Sequence, residues 1–213
     1  MRSCSRWTLY VIVDRAAAGS RPLDELAAGA IRGGADALQL RDKAASARQL
    51  LEEARRLLAI TRRARIPLII NDRADVAAAA GADGVHLGQD DLPLPEARRL
   101  LGPRRLIGQS THSLEQAAAA EAAGADYIGF GPIFPTPTKP DYEPIGTGLI
   151  GPVASRVRRP VVCIGGIDRG NLEQVIDAGA TRVAVVRAVC AAADPEAAAR
   201  DLKALLTRHA ARR

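Results

Sequence analysis

Two glycines, three prolines, two threonines and a lysine crowd the stretch Gly129-Phe130-Gly131-Pro132-Ile133-Phe134-Pro135-Thr136-Pro137-Thr138-Lys139. Such a loop is stiff, offers hydroxyls and backbone N–H groups, and carries one mobile cation, which is equipment for holding phosphate. Five other stretches carry comparable chemistry. Gln39-Leu40-Arg41-Asp42-Lys43 alternates an amide with two cations, and alternation along a strand puts Gln39, Arg41 and, further out, Lys43 on one face. Burying those groups is costly unless an anion meets them, or unless Asp42 or another acid pairs with the cation. Asn71-Asp72 and His86-Leu87-Gly88-Gln89-Asp90-Asp91 supply carboxylates; Asp72 with Asp90 or Asp91 suits Mg²⁺, which takes one or two carboxylates, waters and phosphate oxygens. Asp72 and Asp91 also precede helical segments, where aspartate serves as a cap. Gly165-Gly166 and Val186-Arg187 offer backbone N–H groups and a second cation for another anion.

These groups need a frame that gathers them. Short, nearly continuous apolar runs at Leu9–Val13, Ala37–Leu40, Leu68–Ile70, Gly84–Leu87, Arg105–Gly108, Tyr127–Phe130, Val161–Ile164 and Val183–Val186 read as parallel strands buried on both faces. Helical segments separate them. Ser113 with Gln116 forms a capping box, and Asp194-Pro195 is an N-cap followed by proline at the first helical position. A short motif recurs as Gly34-Ala35-Asp36, Gly81-Ala82-Asp83, Gly124-Ala125-Asp126 and Gly179-Ala180-Thr181. Each copy follows a helical segment, where glycine fits the left-handed position that ends a helix, and each period holds two βα units. Eight units predict a single (βα)₈ barrel domain over residues 1–213, with an open doubly wound sheet as the alternative. Residues 131–147 are expected to form an active-site lid and 208–213 a basic C-terminal tail.

In a barrel the chemistry lies where strands end. Every stretch named above falls at a predicted strand exit, as does Ser110-Thr111-His112 after strand 5. His112 offers a titratable imidazole, while His86, inside strand 4, reads as a core histidine without a role.

Composition narrows the function. The chain has 213 residues, 47% apolar and 25% charged, which fits one soluble domain. Its net charge of +6 comes from arginines spread over helix faces, and aromatics are only 3%, so a nucleic-acid partner is not expected. No apolar run has membrane-spanning length, and Met1–Arg6 lacks the apolar core of a signal peptide; a cytoplasmic location is expected. Cys4, Cys163 and Cys190 lack metal-ligand spacing and read as reduced core residues. Only Lys43, Lys139 and Lys203 are lysine among 30 basic residues, which marks the first two as chosen for following a phosphate. The sequence admits a homo-oligomer.

Taken in order, Leu9-Tyr10, Gln39 to Lys43, Asn71-Asp72, His86 to Asp91, Gly108-Gln109-Ser110-Thr111-His112, Gly129 to Lys139 and Ile164-Gly165-Gly166-Ile167 resemble the thiamine-phosphate synthase family, from about Leu9 to Ala198. The resemblance implies a (βα)₈ barrel that condenses 4-amino-2-methyl-5-pyrimidinylmethyl diphosphate with 4-methyl-5-(2-phosphoethyl)thiazole. The products are thiamine phosphate and pyrophosphate, and the implied mechanism is Mg²⁺-assisted and dissociative. It further implies Asp72 and Asp91 as metal ligands. Gln39, Arg41, Lys43, Asn71, Ser110 and Lys139 would surround the pyrimidine diphosphate, with Lys139, Arg41 and Ser110 acting in catalysis. Thr136, Thr138, Gly165, Gly166, Val186 and Arg187 would hold the thiazole phosphate. Arg187 is a departure, because the family often has a small hydroxyl residue there. A thiazole tautomerase branch of the superfamily carries histidine at the position of Pro132, so Pro132 argues against an isomerase. A barrel that binds thiamine-type ligands without turnover would be expected to lack the metal ligands retained here.

Overall fold

The structure is a computed structural model that describes residues 4–138 and 143–210. A 3-10 turn (Cys4–Arg6) leads into β1 (Leu9–Asp14), α1 (Arg15–Ala18), α2 (Leu23–Arg32), β2 (Ala37–Arg41), α3 (Ala47–Ala64), β3 (Leu68–Asn71), α4 (Ala74–Ala80) and β4 (Gly84–Leu87). The second half continues with α5 (Leu94–Leu101), β5 (Leu106–Thr111), α6 (Leu114–Ala122), β6 (Tyr127–Phe130), α7 (Ile150–Arg156), β7 (Val161–Ile164), α8 (Leu172–Asp177), β8 (Val183–Val185), α9 (Arg187–Cys190) and α10 (Pro195–Ala210). All eight strands pair in parallel in chain order. Leu9 pairs with Val183, so β8 closes on β1 and the open-sheet alternative falls.

Closure gives the strands two apolar faces to satisfy, hence their continuous apolar runs. Outward residues such as Val11, Leu38, Ile70 and Ile128 pack with the helices in one large cluster. Inward residues, among them Tyr10, Ile12, Ile69, Leu106 and Val162, fill the barrel with Trp7 and Cys4 beneath them.

The recurring glycine motif is the device that ends each second helix and fastens the barrel floor. Gly34, Gly81, Gly124 and Gly179 all have positive φ, as a left-handed terminus requires. The aspartates then clasp the preceding strand. The Asp36 N–H donates to Leu9 O at 2.9 Å while its carboxylate accepts from Leu9 N at 2.9 Å. Asp83 makes the same two bonds to Leu68, at 3.0 and 2.9 Å, and Asp126 to Ile107, both at 2.8 Å.

Several boundaries differ from expectation. β5 runs to Thr111 rather than Gly108, because Ser110 and Thr111 continue the ladder opposite Gly129 and Phe130. Val186 lies just past β8 and precedes the turn of α9. Ser113 caps α6 by accepting from Gln116 N at 3.2 Å, but the Gln116 amide reaches one residue further back, to His112 N, so the box is shifted. A complete box forms instead at Ser46 and Gln49 on α3. Asp194 caps α10 as expected, accepting from Glu196 N and Ala197 N. The three cysteines are buried and unpaired, and burial pushes the Cys163 thiol up to about 12 and Cys190 up to about 11, which keeps both protonated. Among the described residues no helix is long and apolar enough to cross a membrane.

Candidate active site

The C-terminal ends of the strands open into a cavity of about 440 Å³. Its lining includes Gln39, Arg41, Asn71, Ser110, Thr136, Thr138, Gly165, Gly166, Val186 and Arg187, which the strand exits predicted. Lys43 is not among them. β2 ends at Arg41, so the strand's alternation no longer governs Lys43, and its mostly exposed side chain turns along the rim to pair with Asp72. Lys139 and the three residues after it lie outside the described residues.

The acidic side is built by β3 and β4. Asp72 stands just past β3 with φ of 60°, a left-handed conformation that aspartate tolerates better than most residues. The Asp72 N–H donates to His86 O at 2.7 Å, which ties the turn to β4. Asp91 accepts from Gly88 N at 2.6 Å and brings its carboxylate beside that of Asp72. Burial raises the Asp72 carboxyl above its ordinary value, and Asp91 adds to this, while the Lys43 hydrogen bond opposes it. Two carboxylates held together against their own repulsion form a donor set suited to a hard divalent cation; Mg²⁺ commonly takes few protein carboxylates and completes its shell with water and phosphate oxygens. Asp90 is exposed. Among the described residues no cluster of three or more His, Cys, Asp or Glu side chains gathers for a metal.

Arg41 is paired, as one reading of the sequence allowed, but not with Asp42. Its guanidinium meets Asp14, the last residue of β1, whose register places it directly opposite Arg41. Asp42 instead accepts from Ala44 N and Ala45 N in the following turn. Asp14 is buried and also accepts from Ala17 N at 2.8 Å, so a fixed carboxylate aims the arginine along the cavity wall.

The opposite wall is the glycine and proline side. Gly165 and Gly166 have φ of 100° and 63°. A Cβ on Gly165 would lie 2.4 Å from Pro132 Cβ, and one on Gly166 would lie 2.5 Å from Pro135 O. The double glycine therefore lets the proline-rich loop press against β7. Ile133 N donates to Ile164 O at 2.8 Å and Phe134 N to Gly165 O at 3.0 Å, while Ile133 is fully buried. The start of the expected lid is thus fixed to the barrel rim, and Thr136 and Thr138 overhang the cavity beyond it. His112 bonds through Nδ1 to Gly131 O and so braces the same loop. Arg187 lines this end at the start of α9, and no carboxylate among the described residues pairs with it.

A family model described as thiamine monophosphate synthase matches residues 9–189. The chain belongs to the thiamine monophosphate synthase family. It is 50% identical over 199 residues to the thiamine-phosphate synthase of Roseiflexus sp. (strain RS-1), covering 93% of this chain and 84% of the relative. Against that of Chloroflexus aurantiacus it is 50% identical over 202 residues, with 94% and 93% covered. The solved thiamine phosphate pyrophosphorylase from Pyrococcus furiosus superposes with a TM-score of 0.88 at 38% identity, covering 95% of this chain and 96% of that one.

For a member of the thiamine monophosphate synthase family, the residues that sequence reasoning missed are the ones inside the barrel. Asp14 went unread as the partner of Arg41. Tyr127 and His86 were read only as strand residues, Tyr10 only as part of a motif, yet all three line the cavity floor. One signal was available: of three tyrosines in the chain, two lie in strands buried on both faces, where each hydroxyl must find a partner.

Proposed function

We propose that the protein joins 4-amino-2-methyl-5-pyrimidinylmethyl diphosphate to 4-methyl-5-(2-phosphoethyl)thiazole, releasing pyrophosphate and forming thiamine phosphate. The observation that carries this is a single cavity with two anion-holding walls, in a chain of this family. Arg41 stands on one side, with Lys43, Asp72 and the neighbouring Asp91 at the rim beyond it, and Gly165, Gly166, Thr136, Thr138 and Arg187 stand on the other.

The bond between the pyrimidinylmethyl carbon and the diphosphate oxygen breaks first, and its electron pair leaves with pyrophosphate. The thiazole nitrogen then captures the resulting cation. Such a path asks little acid or base work of the protein; it asks for charge stabilisation and alignment. Asp72 and Asp91 would hold Mg²⁺, which supplies charge neutralisation for the diphosphate. Arg41, aimed by Asp14, and Lys43 at the rim face the departing group, with Lys139 assigned to the same task from the sequence. Gln39, Asn71 and Ser110 orient the pyrimidine. Gly165, Gly166, Val186, Thr136, Thr138 and Arg187 hold the thiazole phosphate, and the apolar side chains of the lining, Ile12, Val162 and Ile164 among them, help keep water from trapping the cation. A cytoplasmic location fits substrates of this kind.

The test is turnover by purified protein with both substrates, with and without Mg²⁺, with thiamine phosphate read as thiochrome fluorescence. Product that requires both substrates and the metal is expected. A folded, Mg²⁺-supplied sample that makes none would defeat the reading.

A further inference from the structure

A chain of hydrogen bonds crosses the barrel interior beneath the cavity. Gln39 Nε2 donates to Tyr10 Oη at 2.7 Å, and Tyr10 Oη lies 3.1 Å from Tyr127 Oη. Tyr127 Oη lies 3.1 Å from His86 Nδ1, and His86 Nε2 lies 3.0 Å from Ser110 Oγ. The links come from β2, β1, β6, β4 and β5 in turn. Both ends, Gln39 and Ser110, line the cavity.

The surroundings are shaped around this chain. A Cβ on Gly108 would fall 2.2 Å from Tyr127 Cζ and 2.5 Å from His86 Nδ1, so only glycine lets the two groups meet. A Cβ on Gly129 would fall 2.9 Å from His86 Cε1. Burial raises the pKa of both tyrosines well above the ordinary range, so each hydroxyl keeps its single proton.

One proton per link makes the chain directional. With the Gln39 amide nitrogen turned to Tyr10, the Tyr10 proton goes to Tyr127 and the Tyr127 proton to His86 Nδ1. A neutral imidazole that accepts at Nδ1 carries its proton on Nε2 and donates to Ser110 Oγ. Gln39 then shows its carbonyl to the cavity, and Ser110 has its own proton left to donate there. Turning the Gln39 end alone sets acceptor against acceptor, turning the Ser110 end alone sets donor against donor, and turning the whole chain requires His86 to change tautomer.

We propose that Tyr10, Tyr127 and His86 form a polarity relay that holds Gln39 as an acceptor and Ser110 as a donor, and thereby selects an aminopyrimidine over its oxo counterpart. An aminopyrimidine edge offers an amino donor beside a ring-nitrogen acceptor, and the 4-oxo ring reverses both. The three relay members are positioning residues, acting through Gln39 and Ser110. The inference rests on the placement of the pyrimidine between those two residues.

The experiment measures inhibition of wild type and Tyr127→Phe by 4-amino-2-methyl-5-pyrimidinylmethyl phosphate and by its 4-oxo counterpart. Phenylalanine keeps the ring stacked on His86 and removes only the hydroxyl. Wild type should favour the amino compound by at least about 100-fold. In Tyr127→Phe each end turns independently, and the ratio should fall below about 10-fold. A ratio unchanged in Tyr127→Phe overturns the relay. Should Tyr127→Phe fail to fold, Tyr10→Phe cuts the chain one link away and is judged by the same ratio. Gln39→Ala and Ser110→Ala separate the two levels. If neither weakens the amino compound, the pyrimidine placement fails and the relay with it; if both do while the ratio holds in Tyr127→Phe, only the relay is lost.

Discussion

Asp36 at the floor of the barrel and Asp72 at its mouth are the same side chain in opposite circumstances. Asp36 receives N–H bonds from Thr8 at 2.7 Å and Leu9 at 2.9 Å, and its carboxylate meets Lys203 Nζ at 2.6 Å. Burial works to raise it, but Lys203 and the two backbone donors outweigh burial, and the carboxyl sits below its ordinary value. Asp72 is raised instead, by burial and by Asp91, with the Lys43 hydrogen bond too little to reverse it. The floor satisfies its charges from within the chain. The mouth leaves charge to be satisfied by something that arrives. Two lysines divide on the same line: Lys203 completes a structural hub, whereas Lys43 stays mostly exposed on the rim.

The sharpest test of that contrast is Asp72→Asn. Asparagine tolerates the positive φ equally, so the turn survives. Turnover should fall on the order of 10²–10³-fold, as when one group that stabilises developing charge is removed. The unliganded fold should lose nothing measurable, or gain slightly, because a crowded carboxylate has gone. Parallel thermochemical melts and thiochrome assays check both halves. A variant that loses stability along with activity would erase the distinction between floor and mouth.

Next in size is Gly108→Ala, which attacks the boundary between the two regions. The added methyl would lie against Tyr127 and His86, flanked by strands that cannot spread. A destabilisation of about 3 kcal/mol is expected from overpacking, measured by denaturant unfolding. A neutral result would mean that the interior is looser than the observed spacing.

Much of this frame was legible before any coordinates. Apolar runs without alternation gave parallel strands, and the glycine-alanine-aspartate repeat gave their pairing into βα couples. The strand exits gave the cavity lining, because barrel geometry sends every exit to one end. What escaped reading depends on closure. Tyr10 and Tyr127 are separated by 117 residues along the chain and meet only across the interior. Asp14 finds Arg41 through strand register, which apolar pattern does not specify at a polar strand end. Lys43 was placed by alternation that stops with the strand two residues earlier. Ser110 looked like a loop residue because polar side chains end most strand signals; here its inward side chain faces a polar mouth while its backbone stays paired.

The smallest effect is the most direct check on the floor. Asp36→Asn keeps the shape but exchanges a carboxylate for an amide among donors, and it should cost about 2 kcal/mol while leaving turnover per folded molecule unchanged. The pH dependence carries the sign. A carboxyl whose folded value is depressed stabilises the fold fully above the unfolded value near about 3.9, and that contribution is lost as pH falls through the folded value. The gap between wild type and Asp36→Asn should therefore be widest near neutrality and close in acid. Asp72 runs the other way: its raised value favours the fold at low pH, and that advantage is lost as pH rises through it. Unfolding curves for wild type, Asp36→Asn and Asp72→Asn across pH 3 to 7 should thus diverge from wild type in opposite directions. Two variants that shift the same way would show that burial alone, rather than the partners supplied or withheld, sets the two carboxyls.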